Sequence, residues 1–157
     1  AEVHKIQSLN PDTIVANMDM YMKVMFGRSP LKRYQREMMA VVVSKTNNCP
    51  YCITHHGEAL QFFWKDKVKV EKFTKNYKKA GLSDTDRLLC EMAEALTKAP
   101  AHKNRERLID RLKAQGLEDR AILDAALVIS YFNFVNRMVL GLGVDLEADG
   151  GGGYLYE

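Results

Sequence analysis

Four residues with chemical reach fall within eight positions of this chain: Cys49, Cys52, His55 and His56, inside SKTNNCPYCITHHGEAL. Two thiols two residues apart can cycle between dithiol and disulfide, and an imidazole can carry the protons that the cycle moves. Each helical residue turns about 100°. With Cys49 at zero, Cys52 lies roughly 60° to one side and His56 roughly 20° away, so both sulfurs and one imidazole share a face. His55 points further round, roughly 60° beyond Cys52. Pro50 is suited to the first helical position, which puts Cys49 at the N-cap and Cys52 in the first turn. Unpaired N–H groups and the positive end of the helix dipole favour thiolate there, most of all at Cys49.

Glu37 is a candidate partner. If Asn47-Asn48 folds two helices antiparallel, Glu37 sits roughly 13 Å before the end of one and His56 roughly 10 Å into the next. A carboxylate beside an imidazole beside a thiol is a proton relay. On spacing alone, a solvated charge in KRYQRE is the simpler reading of Glu37.

Three other readings of the cysteine stretch stand beside the redox one. Two Cys and two His are zinc-ligand types, but adjacent histidines do not readily reach one ion. Cys-Pro-Tyr-Cys fits a glutaredoxin, which would need a preceding strand and a later proline facing the cysteines. Pro11, Pro30 and Pro100 instead sit at expected helix boundaries. A purely structural cysteine pair is the third.

The elements that must position these residues read as helices. Asn10-Pro11 opens one that runs through Met25 and stops at Gly27. Ser29-Pro30 opens a second, to about Thr46, with apolar residues from Leu31 to Val43 at helical spacing. The valines of MMAVVVS leave a strand as the competing reading there. Pro50 starts the third. Lys65–Lys79 reads as a solvated, lysine-rich helix face, with a docking patch for an acidic partner as the sharper alternative. Ser83 caps a helix to about Lys98, Asn104 can cap RERLIDRLKAQ, and a last helix runs from near Glu118 to about Leu140. The expectation is one all-α domain over 1–157, a bundle of about six to eight helices with its core at about 10–147 and a Gly-rich flexible tail at 148–157.

Composition bounds the rest. A hydrophobic fraction of 46% and a charged fraction of 27% are those of a globular domain. Net charge +3 gives no footprint for nucleic acid. Residues 1–10 lack the apolar run of a signal peptide, and no run approaches a membrane span. With an odd, low cysteine count, this leads to the expectation of a cytoplasmic protein with no membrane partner. Cys90, in RLLCEMAEAL, reads as a core residue, His4 as N-terminal surface, and His102 as a loop residue without an evident partner. MDMYM and FVNRM are the stretches expected at a subunit interface.

Glu37, eleven residues, Cys49, two residues, Cys52, three residues, His56 resembles the Glu-x11-Cys-x2-Cys-x3-His signature of the alkylhydroperoxidase D-like family, in the carboxymuconolactone decarboxylase superfamily. Its peroxidase-related branch is matched in MFGRSPLKRYQREMMAVVVSKTNNCPYCITHHGEAL, GLSDTDRLLCEMAEALTKAP and YFNFVNRMVLGLGV. The resemblance implies an all-helical homo-oligomer, often a trimer or hexamer. It also implies thiol-dependent reduction of alkyl hydroperoxides in antioxidant defence, without cofactor or metal. By the same resemblance Cys52 is the peroxidatic cysteine, Cys49 the proton donor that closes the disulfide, and Glu37 and His56 the relay. Tyr51 stands where the best-studied members have His, and a phenol is no base at neutral pH, though it can donate a hydrogen bond. The implied reductant is a thiol protein, lipoyl-bearing or thioredoxin-like. The alternatives are a reductase of protein or lipoyl disulfides, and a non-catalytic redox-sensing or binding member of the same scaffold.

Overall fold

A computed structural model describes residues 1–101 and 103–148. Its elements are α1 (Glu2–Gln7), α2 (Pro11–Phe26), α3 (Arg33–Thr46), α4 (Pro50–Trp64), α5 (Lys67–Lys75), a 3₁₀ turn (Tyr77–Lys79), α6 (Asp84–Lys98), α7 (Arg105–Ala114) and α8 (Asp119–Gly141). The fold is all-helical, and the described residues contain no strand. His102 and the tail residues 149–157, named above, lie outside the described residues.

α3 is the axis of the bundle, with α4, α6 and α8 packed around it. Every residue from Gln35 to Ser44 is buried. That is why MMAVVVS is helical despite its valines: a helix apolar on all sides gains more from burial than β-branched residues lose in rotamer freedom. Most polar groups of this stretch find partners inside the protein, Arg36 Nε being the exception. The Arg36 guanidinium donates to the carbonyls of Met25 (2.8 Å), Gly27 (2.9 Å) and Leu31 (3.1 Å), capping the C-terminal end of α2. Gly27 is required where the chain leaves α2, because a Cβ there would lie 2.3 Å from the Lys23 carbonyl oxygen.

Most helix ends fall where the capping signals place them. Asn10 accepts from Thr13 N at 3.3 Å and Ser83 from Asp86 N at 3.2 Å. Three details differ. α3 starts at Arg33 rather than at Ser29-Pro30, because Ser29 Oγ is used elsewhere, donating to Asp124 (2.5 Å) and accepting from Leu31 N (3.1 Å). Asn104 occupies the N-cap of α7 without a side-chain cap bond. α1 was not foreseen. It is a short helix held down by buried Val3, which packs with Cys49, Tyr51, Cys52 and Val139.

Asn47 and Asn48 make the turn between α3 and α4, with Asn48 in the left-handed region (φ 55°) that asparagine tolerates. The Cys49 amide donates to the Ser44 carbonyl at 2.9 Å, which pins the start of α4 to the end of α3. Among the described helices, α8 is long and apolar enough to cross a membrane by length and composition, and half of that stretch is buried inside the bundle. Asp124, Asn133 and Arg137 interrupt its apolar sequence, so the helix contains no unbroken apolar run of span length.

Candidate active site

Cys49 is the N-cap residue of α4 and Cys52 lies in its first turn, both as free thiols and both buried. The neighbouring Cys52 side chain, helped by its main-chain N–H and opposed by burial, brings the Cys49 thiol down to about 7. The Cys49 side chain also pushes the Cys52 thiol far up, with burial and the charge on Cys49 adding to it. Hydrogen bonds from Asn136 and Ser44 act against that rise. The resting charge of the pair therefore belongs to Cys49, in line with its place at the helix start.

The antiparallel α3–α4 pair brings Glu37 to His56. Glu37 Oε2 lies 2.6 Å from His56 Nδ1, and Glu37 Oε1 lies 2.7 Å from an Arg33 nitrogen one turn back on α3. The Glu37 side chain is 1% exposed, so it is not the solvated charge that spacing alone suggested. A carboxylate only accepts, so His56 keeps a proton on Nδ1 and exchanges protons through Nε2. The His56 ring stands edge-on to Phe132 at 4.4 Å, and Arg33 lies over the Phe26 ring at 3.9 Å. These two packing contacts fix both partners of the carboxylate.

Cys52, His56 and Glu37 line one crevice, walled by Tyr21, Tyr131 and Phe132. Cys49 has no exposed surface and lies behind Cys52, which has 2%. His4 also lines the crevice, and burial, with the nearby N-terminal charge, lowers its pKa. It is therefore not the surface residue expected.

A second cluster was missed in the sequence. The Glu147 carboxylate accepts from the Tyr51 phenol (2.6 Å) and the Glu2 main-chain N–H (2.8 Å), and its other oxygen lies 2.9 Å from His55 Nε2. Burial raises its pKa, but these hydrogen bonds and the charge of His55 outweigh that and hold Glu147 at about 2. Burial lowers the pKa of His55, and Glu147 acts against it. Tyr51 packs its ring on His55 at 4.4 Å. Tyr51 thus ties the thiol helix to α1 and to the residues after α8, donating to Glu147 and accepting from Val3 N at 3.4 Å.

The two histidines turn to different carboxylates, and no group of three or more potential metal ligands comes together among the described residues. Helix α3, where a glutaredoxin would have a strand, precedes the cysteines. Cys90 is fully buried in the main core on α6, with a thiol pushed well up by burial, then by Asp86 and Glu91. Of the residues missed, Arg33 was legible as the i−4 ion-pair position to Glu37. Glu147, Ser44 and Asn136 carry no local signal, since their partners lie on other elements.

The family model for the carboxymuconolactone decarboxylase family matches residues 11–61. An uncharacterized peroxidase-related protein from Silicibacter sp. TM1040 is 33% identical with a TM-score of 0.90, covering 99% of this chain and 80% of that one. The alkylhydroperoxidase AhpD core of an uncharacterized peroxidase-related protein from Ralstonia eutropha JMP134 is 26% identical with a TM-score of 0.86, covering 93% and 76%. The debrominase Bmp8, solved with 2,3,4-tribromopyrrole, shares the fold at 20% identity and a TM-score of 0.81, covering 94% and 78%.

Proposed function

The chain belongs to the carboxymuconolactone decarboxylase family, among its alkylhydroperoxidase D-like, peroxidase-related members, and from that premise we propose that it is a thiol peroxidase that reduces alkyl hydroperoxides through Cys52 and Cys49. The observation that carries this reading is the Glu37–His56 contact at 2.6 Å opening into the same crevice as Cys52. The resting charge sits on Cys49, so attack by Cys52 first needs its proton to move to Cys49 or to His56. The Cys52 sulfur then takes the terminal peroxide oxygen, the O–O bond breaks, and the leaving alkoxide collects a proton from the relay. Cys52 becomes a sulfenic acid. The Cys49 thiolate attacks that sulfur, forming the disulfide and releasing the oxygen as water once it is protonated. Two electrons from an external thiol, a lipoyl or thioredoxin-like protein, restore the dithiol. Glu37 orients His56 by holding its Nδ1 at 2.6 Å, which leaves Nε2 free to carry protons.

The test is peroxide consumption by the reduced protein, followed by the intact mass. Wild type should consume about one equivalent of an alkyl hydroperoxide and lose two hydrogens, and Cys52→Ser should do neither. Consumption that survives Cys52→Ser, or a wild type that does not react, sinks the proposal. One observation favours a second reading, reduction of protein or lipoyl disulfides. With its thiol at about 7, Cys49 resembles the attacking thiol of exchange enzymes. Oxidation of the dithiol by a disulfide substrate, with no response to peroxide, would select it.

A further inference from the structure

The charge of this chain is unevenly spread. From Lys65 to Lys79 stand seven lysines against Asp66 and Glu71, a net of +5 in a chain whose net charge is +3, so the remaining residues together carry −2. The fold makes this run one wall of a groove. α5 and the 3₁₀ turn supply Lys75 and Lys78, the end of α3 supplies Lys45, and α6 supplies Lys98. We propose that this groove is the docking site for an acidic segment of the protein that exchanges thiols with the Cys49–Cys52 pair. That the partner is a thiol protein rests on the dithiol cycle proposed above, but the docking itself does not.

Four lysines face one carboxylate here. Lys78 and Lys98 both pair with Glu94, at 3.1 Å and 2.5 Å, and the Tyr77 hydroxyl donates to it at 2.7 Å. Glu94 is therefore fully engaged and neutralises no further cation. Lys45 and Lys75 are exposed and enter none of the ion pairs among the described residues. On α5 itself, Lys69, Lys72 and Lys75 follow one another at three-residue spacing, where like charges lie close enough to repel. An acidic ligand in the groove relieves that repulsion.

The lining also selects the kind of anion. The run 65–79 holds no arginine, the side chain suited to two-pronged phosphate contacts. Neither aromatic residue of the groove offers a face for nucleobases to stack on: Phe73 is buried, and Lys78 lies over the Tyr77 ring at 5.4 Å. Lysines on flexible stems instead give a steered, salt-sensitive contact with spaced carboxylates. That suits a redox partner, which must leave after each turnover. Position agrees with this role. Lys45 lies in the last turn of α3, four residues before Cys49, whose amide is bound to the Ser44 carbonyl at 2.9 Å. A segment seated in the groove thus rests against the stretch that leads into the thiol helix.

The test follows the fluorescence anisotropy of a labelled peptide of alternating Glu and Gly. Wild type should bind it at low ionic strength and release it as salt shortens the Debye length to a few ångströms. Lys45→Glu with Lys75→Glu should weaken binding about tenfold or more, roughly one decade in Kd for the loss of the two unpaired cations. Lys32→Glu with Lys113→Glu makes the same change of net charge away from the groove, Lys32 lying roughly 20 Å from Lys45 along α3. That pair should stay within about twofold of wild type, an effect of overall charge alone. All four lysines are exposed, so the swaps leave the core intact. Wild type that does not bind, or equal losses in the two pairs, overturns the assignment. A single-stranded oligonucleotide that binds more tightly than the peptide through Lys45 and Lys75 overturns it in favour of nucleic acid. Peptide binding involves no thiol chemistry, so its failure leaves the peroxidase reading standing, and an inert dithiol leaves the docking standing.

Discussion

The Glu37 carboxylate and the His56 imidazole meet at 2.6 Å across the antiparallel pair α3–α4, with Arg33 closing the far side of the carboxylate at 2.7 Å. Glu37→Gln keeps the shape and removes the charge. It and His56→Gln should each slow the first peroxide step near neutral pH by about tenfold, the equivalent of one lost pKa unit at about 1.4 kcal/mol. The two losses should be less than additive, since both break one relay. Stopped-flow oxidation of the two singles and the double measures this. A Glu37→Gln protein as fast as wild type would remove Glu37 from the chemistry.

Acid should release α1 before it unfolds the bundle. Glu147 sits at about 2 in the folded chain against 4.5 as the reference value. The unfolded chain therefore binds more protons between these values. The stabilisation is complete above about pH 5 and is lost as pH falls towards about 2. His55 adds to the effect: its folded pKa lies below 6.5, so its share is lost as pH falls through and below that value. Tyr51→Phe or Glu147→Gln should cost about 1 kcal/mol and flatten the acid response. Hydrogen exchange of the α1 amides against pH reads it. An α1 equally protected in acid and in Glu147→Gln would contradict it.

Mild oxidation should join Cys49 to Cys52 and leave Cys90 reduced. Cys90 is sealed in the main core with its thiol pushed well up, while Cys49 is already near its ionisation point at neutral pH. Peptide mapping after one equivalent of oxidant should find a single intramolecular disulfide within the α4 peptide. Cys90 in the main disulfide would be the contrary result.

Self-association is expected along α2 and α8. Leu123, Leu127 and Phe134 are exposed on one face of α8, and Met20 and Met22 are exposed on the neighbouring α2. An apolar stripe of this length suits a subunit contact, and a trimer or hexamer is the proposed assembly. Light scattering should give a multiple of the 17.9 kDa chain mass, and Leu127→Glu with Phe134→Glu should lower it. Wild type running at one chain mass would end this proposal.

What the sequence revealed divides along physical lines. Helix starts marked by Asn10-Pro11, Ser83 and Pro50 were legible, because capping is local chemistry. The Glu37–His56 meeting was legible as matched heights on two helices joined by a two-residue turn, though not its burial. The Tyr51–Glu147 bond was not, since the two lie 96 residues apart and nothing near either one marks the other. FVNRM read as a subunit-interface stretch, and in it Asn136 is buried against Asn47 and Ser44 while Phe134 faces out.

The continuous burial of α3 has a consequence for anyone retuning this scaffold. Glu37 and Ser44 share one helix with the Met38–Val43 core, so a library drawn across it would mostly sort variants by whether they fold. Selectivity is better sought where the crevice wall is not also the keel of the bundle. α1 and the crevice-facing side of α2 offer His4, Gln7, Met18 and Tyr21, positions that can change size or polarity without opening a hole beneath the reactive sulfur.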